Sequence, residues 1–249
     1  FEMRKKTPKI IPWSKPKIFG DEKKLVVKAI DSSWISGGQY IEKLESEFKS
    51  FFKIKYAYLV SNGTAAIHAT FLALNFKSND ELIVPGFGYM AAANIAKLMG
   101  IKVRFADVDK NTFCITLNKI KKLTTKKTKA VVVIHTYGNV SEIIKIKSWC
   151  RKKKIKLIED AAESLGSKYK KKLAGTFGDV GTFSLHATKN ITTGEGGLVI
   201  TNNKIIASNI ALYRSHGVKI KRYFHIVPGH NFRMTNFQAA MGFAQIKKK

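Results

Sequence analysis

The stretch HATKNITTGEGG, residues 186–197, follows the apolar run DVGTFSL (179–185) and leads directly into a second run, GLVIT (197–201). Runs of four to eight residues rich in β-branched and aromatic types, bounded by Gly, Asp and Thr, read as strands. Lys189 therefore stands just beyond a strand end, in a Thr/Gly-rich turn, whereas most lysines of this chain fall in obvious charge runs. A lysine held in an apolar pocket or beside another cation loses basicity and becomes a nucleophilic amine. A solvated side chain is the ordinary fate of a lysine in so basic a chain, so the surrounding sequence has to decide.

Outward from this stretch the chain alternates two periods. DEKKLVVKAI (21–30) reads as a short amphipathic helix, and IEKLESEFKSFF (41–52) places Ile41, Leu44, Phe48 and Phe51 at helical spacing. YAYLV (56–60) is a compact strand that runs into a helix opening at SNGTAA (61–66). LIVP (82–85), KVRFADV (102–108), AVVVIHTYG (130–138) and KLIEDA (156–161) are further short strands, separated by helical stretches such as MAAANIAKLMG (90–100) and SEIIKIKSWCRKKK (141–154). SKYKKKLAG (167–175) reads as a hairpin. Strand–helix–strand alternation predicts an α/β domain, a mainly parallel sheet flanked by helices on both faces as an α/β/α sandwich. Ligands of open α/β sheets gather outside the carboxyl ends of the strands. Ser61–Ala66, Phe87–Tyr89, Asp160 and Lys189 each follow a strand.

Two of these positions have a chemical reading of their own. Gly63, Thr64 and Ala65 open a helix, where unpaired backbone N–H groups and the helix dipole hold a phosphate; an ordinary N-cap explains the same residues. Glu159 and Asp160 end a buried strand, and a buried carboxylate needs a partner. That partner is either a bound cation, a protonated pyridine nitrogen for example, or a lysine of the chain; capping of a helix ahead of AAESL is a further alternative.

SNGTAA, IEDAA and TKNITTGEGG in this order resemble the sugar aminotransferases of the DegT/DnrJ/EryC1/StrS family. The resemblance extends from Trp34-Ile35-Ser36-Gly37 through VPGFGYMAAANIA, FADVD, HTYG, EDAAESLGS and RSHG to RYFHIVPGHNFRMTNFQAAMGFAQ (222–245). EDAAESLGS and the last block look most like perosamine-synthase-type members, which aminate C4 of a 4-keto-6-deoxy nucleotide sugar. The resemblance implies the fold-type-I large domain of pyridoxal 5'-phosphate enzymes, with Lys189 carrying the cofactor and moving a proton, and Asp160 paired with its ring nitrogen. It also implies Tyr89 stacked on the ring, Gly63, Thr64, Ala65 and Ser184 on the phosphate, and Glu163 near the phenolic oxygen. Asn231 is expected to reach a neighbouring subunit's phosphate, in a homodimer with shared sites. His186, His216, His225 and Arg233 are expected to face substrate, and glutamate is the implied amino donor. A subgroup of 3-dehydratases has His in place of the lysine, so Lys189 implies transamination. Gly88 stands where many relatives have Thr. Residues 1–20 are expected to form an N-terminal arm and 21–249 the cofactor-binding large domain. The family's further, smaller domain of about 100 residues is expected to be missing from this sequence, which also begins with Phe1 rather than Met.

Composition narrows the remaining classes. Of 249 residues 45% are hydrophobic, including 16 Phe and 8 Tyr, far too apolar for a disordered chain. No apolar run reaches the roughly 20 residues of a membrane span, and the N-terminus has no signal-like apolar stretch. Cys114 and Cys150 lack paired ligand spacing and read as reduced thiols of a cytoplasmic protein, with no metal site. Lys+Arg number 45 against 17 Asp+Glu, a formal charge of +28. The lysines are scattered between apolar segments, with no basic stripe and interleaved aromatics, so no specific nucleic-acid site is expected. Two rival readings remain: a basic binding fragment held to nucleic acid by charge alone, and a dinucleotide-dependent oxidoreductase. The latter rests on GFGYMA (86–91), which fits G-x-G-x-x-A, with Asp107 at roughly the right distance.

Overall fold

A computed structural model describes residues 11–12, 14–219 and 223–248; residues 1–10 and Trp13 of the expected N-terminal arm lie outside the described residues, as does Arg222. In chain order the elements are α1 (Asp21–Asp31), α2 (Gln39–Phe52), β1 (Tyr56–Val60), α3 (Gly63–Ala73), β2 (Glu81–Pro85) and α4 (Ala91–Leu98). There follow β3 (Lys102–Ala106), α5 (Leu117–Leu123), β4 (Thr128–Ile134), α6 (Ile143–Lys153), β5 (Lys156–Asp160), β6 (Lys168–Tyr169) and β7 (Lys172–Leu173). The last are β8 (Val180–Ser184), β9 (Gly197–Thr201), α7 (Lys204–Tyr213) and α8 (Asn236–Ile246). Seven strands form one sheet in the order β1-β9-β8-β5-β4-β2-β3, and β6 with β7 makes the expected hairpin apart from it. Only β9 runs against the rest, pairing antiparallel with both β1 and β8. The carboxyl ends of β1, β2, β3, β4, β5 and β8 therefore share one edge.

Alternation along the strands builds the three layers. Leu82, Val84, Ala130, Val132 and Ile158 pack under α3 and α4. Their strand neighbours Ile83, Val131, Val133 and Leu157 point the other way, against Ile120, Ile143 and Ile146 of α5 and α6. α1, α2 and α8 cover the same side over β1, β8 and β9, with Phe48, Leu59, Phe183 and Ala240 in one cluster. The helical stripe of α2 is Tyr40, Leu44, Phe48 and Phe52, flanked by Ile41 and Phe51, so the expected stripe is displaced by one residue at either end. α3 is apolar nearly all round, as a helix wedged between sheet and neighbouring helices must be: Ala65, Ala66, Ile67, Ala69, Phe71 and Ala73 are buried.

Candidate active site

β1 ends at Val60, and Ser61-Asn62 turn the chain into α3. Asn62 caps that helix: its Oδ1 accepts the Ala65 N–H at 2.8 Å. The first helical N–H groups have no partner within a helix, and Gly63, Thr64 and Ala65 all line a cavity of about 1120 Å³ over the strand ends. Two glycines let neighbouring backbone close on this turn. A Cβ on Gly63 would lie 3.1 Å from Ser184 Cβ at the end of β8, and one on Gly197 would lie 2.3 Å from the Asn62 carbonyl oxygen. The cap reading applies to Asn62, and it leaves the phosphate reading open for its three successors, which face the cavity.

The paired acids at the end of β5 separate onto the two faces, as consecutive strand residues do. Glu159 is fully buried and accepts from the N–H groups of Gly175 (2.8 Å), Phe177 (2.6 Å) and Gly178 (2.5 Å). It also meets His135 Nε2 at 2.9 Å, while the Ser141 N–H approaches His135 Nδ1 at 3.4 Å. The backbone donation makes Nδ1 the acceptor, so Nε2 carries the proton that goes to Glu159. This pair is structural. Asp160 takes the other face and lines the cavity. Its Oδ1 accepts one backbone bond, from Ala162 N–H at 3.1 Å, and no helix follows, only turns, which removes the reading of Asp160 as a cap ahead of AAESL. Burial pushes its carboxyl up to about 6, against lowering by the Ala162 bond.

Lys189 lies beyond β8 on the cavity wall, with its side chain 22% exposed and Nζ 3.8 Å from Glu163 Oε1. Glu163 is itself fixed, because its Oε2 accepts the Tyr137 N–H at 2.8 Å. The lysine loop is tied back as well: Ser14 Oγ donates to the Thr188 carbonyl at 3.1 Å, and His186 Nδ1 lies 3.1 Å from Thr188 Oγ1.

The cavity gathers every residue expected at the cofactor: Gly63, Thr64, Ala65, Tyr89, Asp160, Glu163, Ser184, Lys189 and Asn231. Tyr89 is 79% exposed there. Asn231 lines the cavity of its own chain, where the resemblance has it reach from a neighbour. Of the four residues expected to face substrate, His186 lines this cavity, whereas His216 and His225 border a separate pocket of about 430 Å³. Arg233 is exposed, with Nε 3.0 Å from Asn231 Oδ1. Sequence reasoning assigned no role to Asn62, His68, Phe87, Thr136, Tyr137 and Glu195, which also line the main cavity. Asn62 was legible as a cap at its Asn-Gly-Thr turn, and Phe87 as part of the Phe87–Tyr89 turn after a strand; the others had no local signal of a role. In GFGYMA the Gly86 N–H donates to the Ala106 carbonyl at 2.7 Å, Asp107 pairs with Lys119 at 3.1 Å, and a Cβ on Gly88 would press on Ile134 Cδ1 at 2.9 Å. The two glycines and Asp107 are thus engaged in packing and an ion pair, while Phe87 and Tyr89 face the cavity. No group of three or more His, Cys, Asp or Glu among the described residues is placed to hold a metal ion, and none of their helices is long and apolar enough to cross a membrane.

Comparison with known proteins agrees with this geometry. Residues 16–249 match the model of the DegT/DnrJ/EryC1/StrS aminotransferase family. The chain is 42% identical over 242 residues to the GDP-perosamine synthase of Escherichia coli O157:H7 and 41% identical over 241 residues to that of Vibrio cholerae, covering 96% of itself and 66% of each relative. It thus spans slightly less than two thirds of the length of these curated relatives. Among solved structures, Helicobacter pylori PseC, an aminotransferase of pseudoaminic acid biosynthesis, superposes with a TM-score of 0.90 at 31% identity, covering 95% of this chain and 65% of that one. The E. coli GDP-4-keto-6-deoxy-D-mannose-3-dehydratase, solved with bound hydrated pyridoxal phosphate, also scores 0.90, at 30% identity, covering 95% of this chain and 67% of that one. The fold is that of the fold-type-I pyridoxal-phosphate enzymes, and the dinucleotide reading gives way to the family match.

Proposed function

The chain belongs to the DegT/DnrJ/EryC1/StrS aminotransferase family, and from that premise we propose that it is the large-domain part of an enzyme that transaminates a keto group on a nucleotide-linked deoxysugar. Aminotransferase and 3-dehydratase relatives share its fold with equal TM-scores, so overall shape does not choose between the two reactions. The observation that carries the choice is Lys189, an amine on the cavity wall that also holds Asp160 and the open end of α3.

These residues suit pyridoxal phosphate on their own chemistry. Asp160 is a buried acid with a raised pKa and one backbone donor, so a cationic ring nitrogen beside it would restore its ionised form. The α3 terminus, closed by Gly63 against Ser184, offers donors for a phosphate. When bound, the cofactor supplies an aldehyde for amine exchange and a ring that draws off electrons. Asp160 would hold a proton on the ring nitrogen, Thr64 and Ser184 would hold the phosphate, and Lys189 Nζ would take and return the substrate proton. Glu163, pinned by the Tyr137 N–H, keeps a negative charge within 3.8 Å of that amine.

The GDP-linked sugars in the relatives' names favour a 4-keto-6-deoxy sugar on GDP as substrate, with glutamate as amino donor, for a cell-surface polysaccharide or other glycan. A homodimer in the cytoplasm completes the reading. Incubation with pyridoxal phosphate, GDP-4-keto-6-deoxymannose and ¹⁵N-glutamate tests it. The expected product is a labelled amino sugar, lost in Lys189→Ala; label transfer that persists in that variant, or a deoxygenated sugar without nitrogen, would contradict it.

A further inference from the structure

Three aromatic side chains stand exposed on separate turns at the carboxyl edge of the sheet. Phe87 follows β2, Phe113 lies between β3 and α5, and Tyr137 follows β4; they are 41%, 41% and 62% exposed. Their rings nevertheless touch, with centroids 5.4 Å apart for Phe87–Phe113, 6.2 Å for Phe113–Tyr137 and 6.5 Å for Phe87–Tyr137. Phe87 and Tyr137 also line the main cavity. Aromatic rings gain much by burial, and a contiguous apolar patch left in water marks a binding surface.

Two of the three are held in a strained backbone state. Phe113 has φ 56° and Tyr137 φ 54°, in the left-handed region that bulky residues rarely adopt. Such strain persists where the surroundings over-determine it, and it concentrates at ligand sites. Here the constraints are visible. Asp109 Oδ1 accepts the N–H groups of Asn111 and Thr112, and the Phe113 N–H donates to the Asp109 carbonyl. Asn139 Nδ2 then donates to the Thr112 carbonyl, joining this loop to the turn that carries Tyr137.

We propose that Phe87, Phe113 and Tyr137 form the stacking subsite for the nucleobase of the substrate, an inference that rests on the nucleotide-sugar reading above. A cavity of about 1120 Å³ exceeds what one drug-sized ligand fills, leaving room for substrate beside a cofactor. The rings are tilted by 34° to 77°, so a planar guest meets the face of one and the edge of another. Base–aromatic stacking supplies affinity without hydrogen-bond readout, and a chain of charge +28 attracts the diphosphate that follows the base. The patch is continuous with the amine through the Tyr137 N–H bond to Glu163.

Calorimetric titration of the full chain with GDP, and with pyrophosphate as the base-free probe, tests this. GDP should bind more tightly than pyrophosphate. Phe87→Ala and Phe113→Ala should each weaken GDP about tenfold and leave pyrophosphate unchanged, while Tyr137→Phe keeps wild-type affinity. Phe87→Leu, which retains apolar bulk without a ring, should show the same loss even if an alanine variant fails to fold. Unchanged GDP affinity in folded variants would overturn the subsite and leave the nucleotide-sugar reading standing. Binding of neither probe would overturn both. Sedimentation showing that the variants lose self-association but keep GDP affinity would make the patch a contact between copies and likewise overturn the subsite.

Discussion

Asp160 shows at the scale of one residue how a proposed binding residue costs stability. Its carboxyl is 4% exposed, and burial raises it from 3.8 to about 6. The folded chain therefore holds this proton more tightly than the unfolded chain does. Below about pH 4 both states are protonated and the shift has no effect. As the pH rises towards 6 the unfolded state ionises first, so stability falls across that window and stays lower above it. The full shift corresponds to at most ~3 kcal/mol. Asp160→Asn should accordingly stabilise the cofactor-free chain by ~1–3 kcal/mol in urea melts at pH 7.5, a gain that shrinks as the pH approaches 4, and it should weaken cofactor binding. No gain at pH 7.5 would contradict burial as the cause. Glu159, one position earlier, is the opposite case: its carboxylate meets three backbone donors and His135. Glu159→Ala leaves those donors unpaired and should cost ~3–5 kcal/mol in the same melts. The sequence IEDAA showed two acids at a strand end; which one faces a ligand depended on the face each takes, and that is set by how β5 packs.

At the scale of elements, the closure of α3 on β8 and β9 shapes the proposed anion cradle. Gly197→Ala would drive a Cβ into the Asn62 carbonyl, so it should destabilise the chain by ~1–3 kcal/mol and raise the cofactor concentration needed for half-saturation in a spectral titration. Equal affinity and stability would show that this contact is soft. The strands were legible because short β-branched runs between polar turns have few other uses. α5 (Leu117–Leu123) was hidden, since its lysines merge with the charge run at 121–129. The stripe of α2 came out displaced because α8 and α1, which pack on that side, choose between adjacent apolar faces that the local period leaves open. The reversal of β9 had a faint signal: the 12 residues that join β8 and β9 (185–196) carry no helical pattern, and a parallel return usually runs through a helix.

Over the whole molecule the formal charge of +28 acts as a field and needs no dedicated site. Binding to duplex DNA in a gel-shift assay should show no sequence preference and vanish at moderate salt; a salt-resistant, sequence-selective complex would instead revive the nucleic-acid reading. The residues proposed for the cofactor, dispersed from Gly63 to Asn231 in sequence, line one cavity; all but Asn231 are delivered there by parallel strands and the segments that follow them, and Asn231 comes from the segment between α7 and α8. Their legibility came from motifs and their order. Phe87 and Tyr137 stand in such motifs, but nothing in the sequence joined them to each other or to Phe113, since residues 24 or more positions apart meet only in the folded chain. The central claim is that Lys189 holds pyridoxal phosphate covalently, and the most direct test is the visible absorption spectrum of the reconstituted chain beside that of Lys189→Ala. A violet-region band that is present in the wild type, absent in the variant and converted by borohydride into a mass adduct on the peptide containing Lys189 is the predicted result. No band in the wild type, or an equal band in the variant, would contradict it.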